Sequence, residues 1–315
     1  FRGPVSVRSA LGNSLNVPAV RALLLTGLEP FRQRLFDLGY RGINRPGDHY
    51  GYALALGSAE VTLLEQAAAY RALALGGRGG PLTLQPDETP ATHSVVDPGA
   101  AAIVTALIAD PAARAASFGE ESGLALPFAA AVKTGTSKAM RDNWAVGFSR
   151  AHTVAVWVGN FEGDAMIGVS GTSGAAPAWA AIMLALHRTA PPPFTLPPGV
   201  ERRPVRFQPA VEPARQELFL AGTWQPDFAL ASADEAPVRL TAPSDGTILA
   251  LDPDIPAGRQ LLVIRAQGQR PGLFISVDGR RLPGLPARWA PVPGRHEIAL
   301  GDGRTTYDRV RVTVR

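Results

Sequence analysis

Apolar residues recur at the spacing of a helix face over Val5 to Leu11, Pro18 to Thr26, Leu63 to Leu75 and Ala100 to Ala109. Pro18 suits a first helical turn, Gly76-Gly77 reads as the stop of the third helix, and Asp110-Pro111 reads as the stop of the fourth. The period then shortens. Phe128 to Lys133, Asn143 to Phe148 and Thr153 to Val158 are short β-prone runs, with a turn at Ser149-Arg150-Ala151, and they predict an antiparallel meander at a sheet centre. Pro177 to His187 is a further helix, suited to cover that sheet, and Tyr50 to Leu56 is expected to pack the domain and shape a cleft edge. Residues 1–190 therefore predict a mixed α/β domain, an antiparallel sheet with helices.

Beyond residue 190 the pattern changes twice. Residues 191–237 hold Pro191-Pro192-Pro193, Pro197-Pro198 and further prolines, which disfavour long helices and central strands; a linker or an extended strap across the first domain is expected. Over 238–315, short runs at Leu261 to Arg265, Leu273 to Val277, His296 to Leu300 and Val310 to Val314 are separated by Ser-Asp-Gly, Asp-Gly and Pro-Gly turn signals. That spacing predicts a small all-β immunoglobulin-like sandwich.

Composition narrows the function classes. A chain of 315 residues with 46% hydrophobic and 18% charged residues is globular and long enough for two domains. The net charge of +4 comes from scattered arginines, with no basic run or aromatic interleaving, so no nucleic-acid partner is predicted. Cysteine is absent, which excludes disulfides and thiol catalysis. His49, His93, His152, His187 and His296 show no ligand spacing, and no metal or other cofactor is expected. The longest apolar stretch, Ala175 to Leu186, is too short to span a bilayer.

One segment carries a chemical signal. Lys133-Thr134-Gly135-Thr136-Ser137 contains one of only two lysines in a protein whose positive charge is otherwise arginine. A primary ammonium is a compact charge or proton partner, and glycine admits close approach to the strand that carries it. Lys133 and Gly135 share one face of their strand, with Thr134 and Thr136 on the other. Upstream, Ser14-Leu15-Asn16 lies in a loop between two helices. Each motif has a plainer reading: Ser14 and Asn16 as caps of the following helix, and Lys133-Thr134-Gly135 as a strand ending in a turn.

Taken in order, these motifs resemble the second and third signatures of penicillin-recognising serine acyltransferases, and the chain resembles the transpeptidase domain of class A penicillin-binding proteins. Arg141 to Phe148, Val156 to Asn160, Gly174 to Pro177 with Trp179, and the tail runs Pro243 to Thr247 and Leu251 to Pro256 extend the resemblance over nearly the whole chain. The first signature, Ser-x-x-Lys, is absent, since no serine is followed three positions later by lysine. The resemblance therefore implies the C-terminal piece of a longer protein, with the nucleophile shortly before Phe1 and a membrane anchor and glycosyltransferase domain further upstream. It implies a penicillin-binding-protein and β-lactamase-like fold, a site on the periplasmic side of the inner membrane, and peptidoglycan stem peptides and β-lactams as ligands. By the same resemblance Lys133 charges the site, Thr134 and Thr136 offer hydroxyls to a substrate carboxylate, the Thr136 N–H is one oxyanion donor, and Gly135 keeps the strand open. Ser14 relays a proton and Asn16 binds the substrate amide. Asp142 helps order the strand that follows, while Trp144, Trp157 and Trp179 are expected as packing residues. Residues 238–315 show no catalytic grouping; cell-envelope protein partners, glycan binding or support of the first domain are the readings for them. The rival functions are a D,D-carboxypeptidase or β-lactamase, in which water replaces the acceptor amine, and a non-catalytic cell-envelope scaffold.

Overall fold

A computed structural model describes residues 3–85, 87–119, 123–208, 210–229, 238–251, 260–268 and 270–315. Residues 252–256 of the tail run and residues 230–237 of the expected strap lie outside the described residues. The chain divides into two units, Phe1–Phe228 and Ala229–Arg315.

In the first unit, α1 (Val7–Gly12) and α2 (Asn16–Thr26) precede α3 (Leu28–Asp37), the single turn α4 (Gly47–Tyr50) and α5 (Leu63–Ala74). Thr62 and Glu65 close a reciprocal capping box at the start of α5, so two of its orphan N–H donors are satisfied locally. A two-residue ladder, β1 (Arg78–Gly79) with β2 (His93–Ser94), leads to α6 (Pro98–Ala109) and α7 (Pro111–Phe118). Asp97 and Asp110 cap these helices through their side chains, each followed by proline in the first turn. Asp110-Pro111, expected as a stop, is thus a start as well. Among the described residues no single helix is long and apolar enough to cross a membrane.

The expected meander is β3 (Ala131–Thr136), β4 (Asp142–Phe148) and β5 (Thr153–Gly159), antiparallel and in that order. α8 (Ala176–Leu186), entered through a wide π-type turn at Gly171–Ala175, covers one face, where Trp179 and Met183 are fully buried against Val132, Ala145 and Val154. On the other face Ala131 and Phe148 pack with Leu73 of α5 and Ile108 of α6. Burial of side chains this large contributes about 1.5–3 kcal/mol each. This helix–sheet–helix sandwich leaves β3 with one strand partner among the described residues, so its far side is an open edge.

The proline-rich segment carries three strands, β6 (Val200–Gln208), β7 (Arg215–Leu220) and β8 (Asp227–Ala229), with β6 in the middle. It is tied to α1. Glu212 accepts from the backbone N and the Oγ of Ser6, each at 2.8 Å, and Arg8 grips both oxygens of Glu217 at 2.7 and 2.8 Å. Burial works against the charge on Glu217, but the hydrogen bonds from Arg8 and Arg215 hold its carboxyl below the usual range.

The second unit contains β9 (Arg239–Ala242), β10 (Thr247–Leu249), β11 (Leu262–Gln267), β12 (Phe274–Val277), β13 (Arg280–Arg281), β14 (Ala287–Trp289), β15 (Gly294–Gly301) and β16 (Thr306–Val314). They form two sheets, β10-β16-β15-β12-β13 and β14-β11-β9. Leu240, Ile264 and Ala287 from the smaller sheet meet Ile275, Ile298, Leu300 and Val312 from the larger in one core. That is the immunoglobulin-like sandwich expected, with β10 running parallel to β16 at one edge.

Candidate active site

The loop between α1 and α2 is shaped by what it must touch. A Cβ on Gly12 would stand 2.3 Å from the carbonyl oxygen of Ala113, so only glycine lets α1 press this closely on α7. The Asn13 side-chain amide donates to the carbonyls of Ser9 and Ala113, both at 2.9 Å. Ser14 is thereby held at φ 54°, a left-handed conformation that costs a non-glycine residue on the order of 1 kcal/mol. α2 takes Leu15 as its N-cap with no side-chain cap hydrogen bond, so neither Ser14 nor Asn16 plays the capping role. Ser14 Oγ instead accepts from Lys133 Nζ, a contact across 119 residues of chain. Asn16 stands exposed in the first turn of α2.

Lys133 lies opposite Val146 and Gly135 opposite Trp144, on the α5/α6 side of the sheet, whereas Thr134 and Thr136 belong to the α8 side. Lys133 Nζ also donates to its neighbour's carbonyl, Thr134 O, at 2.7 Å. Among the described residues no carboxylate compensates its charge, and burial pushes the ammonium down to about 8. Backbone direction follows from the hairpin. Ser137 N donates to Asp142 O at 2.9 Å, so residues of Ser137's parity point their N–H and C=O groups toward β4. Thr134 and Thr136, of the other parity, present theirs to the open edge. A Cβ on Gly135 would make only ordinary contact, 3.6 Å from Trp144 Cβ.

The structure thus brings Ser14, Lys133, Thr134, Gly135 and Thr136 to one edge, with Asn16 beside the same loop. Several neighbours went unread in the sequence. Asn13 positions the Ser14 loop, and its one signal was a polar residue beside the serine. Gly171 donates its N–H to Thr136 Oγ1 at 2.9 Å from 35 residues away, which no local pattern announces. Asp142, given a lesser role, receives the Trp157 indole N–H at 3.0 Å and donates its own N–H to Ser137 Oγ at 2.9 Å, which ties off the β3–β4 hairpin. At the hairpin tip Ala139 and Met140 hold φ 59° and 57°. Among the described residues no group of three or more His, Asp or Glu side chains is arranged to hold a metal ion.

Residues 1–184 match the family described as the penicillin binding protein transpeptidase domain, and residues 228–312 match the Penicillin-Binding Protein C-terminus Family. Penicillin-binding protein 1C of Escherichia coli (strain K12) is 36% identical over 177 residues, which cover 56% of this chain and 22% of that protein. Penicillin-binding protein 1A of Aquifex aeolicus (strain VF5) is 32% identical over 220 residues, 62% of this chain and 28% of that protein. The chain therefore spans less than a third of the length of these curated relatives. The crystal structure of penicillin-binding protein 1A from Haemophilus influenzae superposes on 70% of this chain and 40% of its own, with a TM-score of 0.60 at 21% identity, a likeness of fold. The transpeptidase match spans more than half the chain and is followed by the C-terminal match, in the order of the Lys-Thr-Gly strand and the β tail. By that pairing the chain belongs to the class A penicillin-binding proteins.

Proposed function

We propose that this chain supplies the Ser-x-Asn loop and the Lys-Thr-Gly edge of a peptidoglycan D,D-transpeptidase, within a bifunctional glycosyltransferase/transpeptidase acting on the periplasmic side of the bacterial inner membrane. The observation that carries this reading is the contact of Lys133 with Ser14 at the open edge of β3. Residues 1–190 hold the catalytic part, 191–237 the strap and 238–315 the β unit, whose partners would be cell-envelope proteins. An edge strand with free N–H and C=O groups accepts an extended peptide as an added strand, which suits a stem peptide ending in D-Ala-D-Ala or a β-lactam that mimics it.

A serine hydroxyl supplied from outside these residues attacks the penultimate D-alanine carbonyl, forming a C–O bond as the C–N bond breaks, and D-alanine leaves with a proton. The acyl group then passes to an amine of a neighbouring strand. In this chain the Thr136 N–H donates to the developing oxyanion, and Lys133 with Thr134 and Thr136 holds the terminal carboxylate. Ser14, fixed by Lys133, passes the proton toward the leaving amine, while Asn16 binds the substrate amide. Gly135 leaves the edge bare, since a Cβ there offends nothing inside the fold. A carboxylate docked beside Lys133 restores the charge that burial disfavours, so carboxylate binding weakens as pH rises through about 8.

Intact mass after incubation with benzylpenicillin tests the reading, on the full-length product of the natural gene with the 315-residue chain as control. The expected result is one covalent adduct on the full-length protein, lost in Lys133→Ala, and none on the short chain. A folded full-length protein that takes up no penicillin would favour the scaffold. Release of D-alanine from a stem peptide ending in D-Ala-D-Ala, with water as the acceptor and no cross-linked product, would favour the D,D-carboxypeptidase.

A further inference from the structure

Thr136 is exposed at the end of the open strand, yet its side-chain oxygen is already engaged: Gly171 N donates to Oγ1 at 2.9 Å. A hydroxyl has one proton to give and two lone pairs to receive with. A backbone N–H occupying the receiving side fixes the rotamer and leaves the proton to point away from α8, toward the edge.

The turn that delivers this N–H is built for closeness. Gly171 is buried, and a Cβ there would stand 2.5 Å from Gly135 O and 2.8 Å from Trp144 O. Only glycine brings the N–H within reach of Thr136. The turn is of the π type, a form that recurs at functional sites, and it is closed by a reciprocal pair in which Ser170 Oγ accepts from Ser173 N at 3.3 Å and Ser173 Oγ accepts from Ser170 N at 2.9 Å. Behind it α8 is anchored by the buried Trp179 and Met183. The turn therefore cannot drift without moving the core.

We propose that Gly171 is a positioning residue for carboxylate recognition: its N–H commits the Thr136 hydroxyl to act as a hydrogen-bond donor toward the ligand carboxylate. This rests on the transpeptidase reading above and goes beyond it, since it assigns a role to the π turn and explains why the hydroxyl donates. Acylation rates of the full-length protein by benzylpenicillin and by its methyl ester form the test, because the ester keeps the reactive ring and masks the carboxylate. In the wild type the acid should acylate faster, by about tenfold or more, as expected of hydrogen bonds to a charged group. Thr136→Val should collapse that ratio toward one, and Thr136→Ser should keep it. Gly171→Ala should lower the ratio at least threefold while the ester rate changes less.

If Gly171→Ala does not fold, Ser170→Ala loosens the same turn from its exposed side and should lower the ratio in the same direction. A ratio unchanged in Gly171→Ala, or in Ser170→Ala where the first variant is unfolded, overturns the proposal while leaving the transpeptidase reading intact. Equal losses for acid and ester also overturn it, because they mark a merely structural role. A wild type that neither compound acylates removes the transpeptidase reading itself, and this proposal with it.

Discussion

In residues 1–228, Ser14, Ala139 and Met140 hold left-handed φ without being glycine; in the described residues of 229–315, only Asp278 does. Asp278 precedes Gly279 in the turn between β12 and β13, where an Asp-Gly pair is the ordinary choice. Ser14 and the Ala139-Met140 pair are not ordinary choices. The buried side-chain polar atoms found without a partner among the described residues, on Asn13, Arg114, Asn143 and Trp179, also fall in the first unit. Asn13 adjoins Ser14, and Asn143 lies opposite Thr136. Local rules are thus broken in the unit that carries the Ser14 loop and the β3–β4 hairpin, and kept where the sequence has only a sandwich to build.

The largest effect should come from the crowded sheet of the first unit. A Cβ at Gly147 would stand 2.4 Å from Ala131 O and 2.7 Å from Trp179 Cζ2. Gly147→Ala should therefore destabilise that unit by about 3 kcal/mol or more. Hydrogen exchange should show lost protection in β3, β4 and β5 with protection in β15 and β16 kept; retained protection in β3 would mean that the sheet can widen. The counterpart in the second unit is Ile298→Ala, which empties a fully buried position and should cost about 2–5 kcal/mol. Penicillin acylation of the full-length protein should be unchanged by it at a temperature where both units are folded. A fall in acylation would break the contrast by giving the sandwich a part in the site.

Much of this was legible. The period change from helix to strand set the meander to within a few residues, and the Lys133 and Ser14 motifs lie where chain order placed them. What escaped depends on distance or on doubled signals. Asp110-Pro111 ends α6 and caps α7 at once, so reading it as a stop hid a helix. Pro204 sits inside β6, the middle strand of its sheet, against the usual rule. Its carbonyl accepts from the Trp224 indole, so its nitrogen shares a flank with a side chain rather than with a strand needing its N–H. Asn13 and Gly171 work through partners 100 and 35 residues away, where no periodicity reaches.

A smaller effect of opposite sign sharpens the contrast. Met140 at φ 57° and Ala139 at φ 59° turn β3 into β4 in a conformation glycine adopts without strain. Met140→Gly should stabilise the first unit by about 0.5–1 kcal/mol, the relieved strain exceeding the added freedom of the unfolded chain. For a unit of this size that is a rise in melting temperature of roughly 1–4 °C. A lower melting temperature would mean that Met140 earns its place by packing.

The smallest effect lies in the second unit and depends on pH. His296 faces acceptors on both ring nitrogens: Nδ1 meets Asp278 Oδ2 at 2.7 Å and Nε2 meets Val292 O at 2.8 Å. Only the imidazolium can donate to both, so the hydrogen bond to Asp278, aided by the Val292 carbonyl and opposed by partial burial, raises the His296 pKa above 6.5. The hydrogen bond from His296 likewise lowers that of Asp278 below 3.8. A raised histidine contributes fully below its unfolded value and loses that contribution as pH climbs through its folded one. The lowered carboxyl contributes above its own unfolded value and loses it on acidification. The pair should therefore support the sandwich best between about pH 4 and 6.5 and fade above. The pair is half open to solvent at Asp278, so the loss should stay within about 0.2–1 kcal/mol. Protection of β15 amides measured from pH 5 to 9, in the wild type and in His296→Gln, isolates this histidine from His49, His93, His152 and His187. The wild type should lose more protection than the variant across the upper half of that range; equal slopes would show that His296 is neutral in the folded chain.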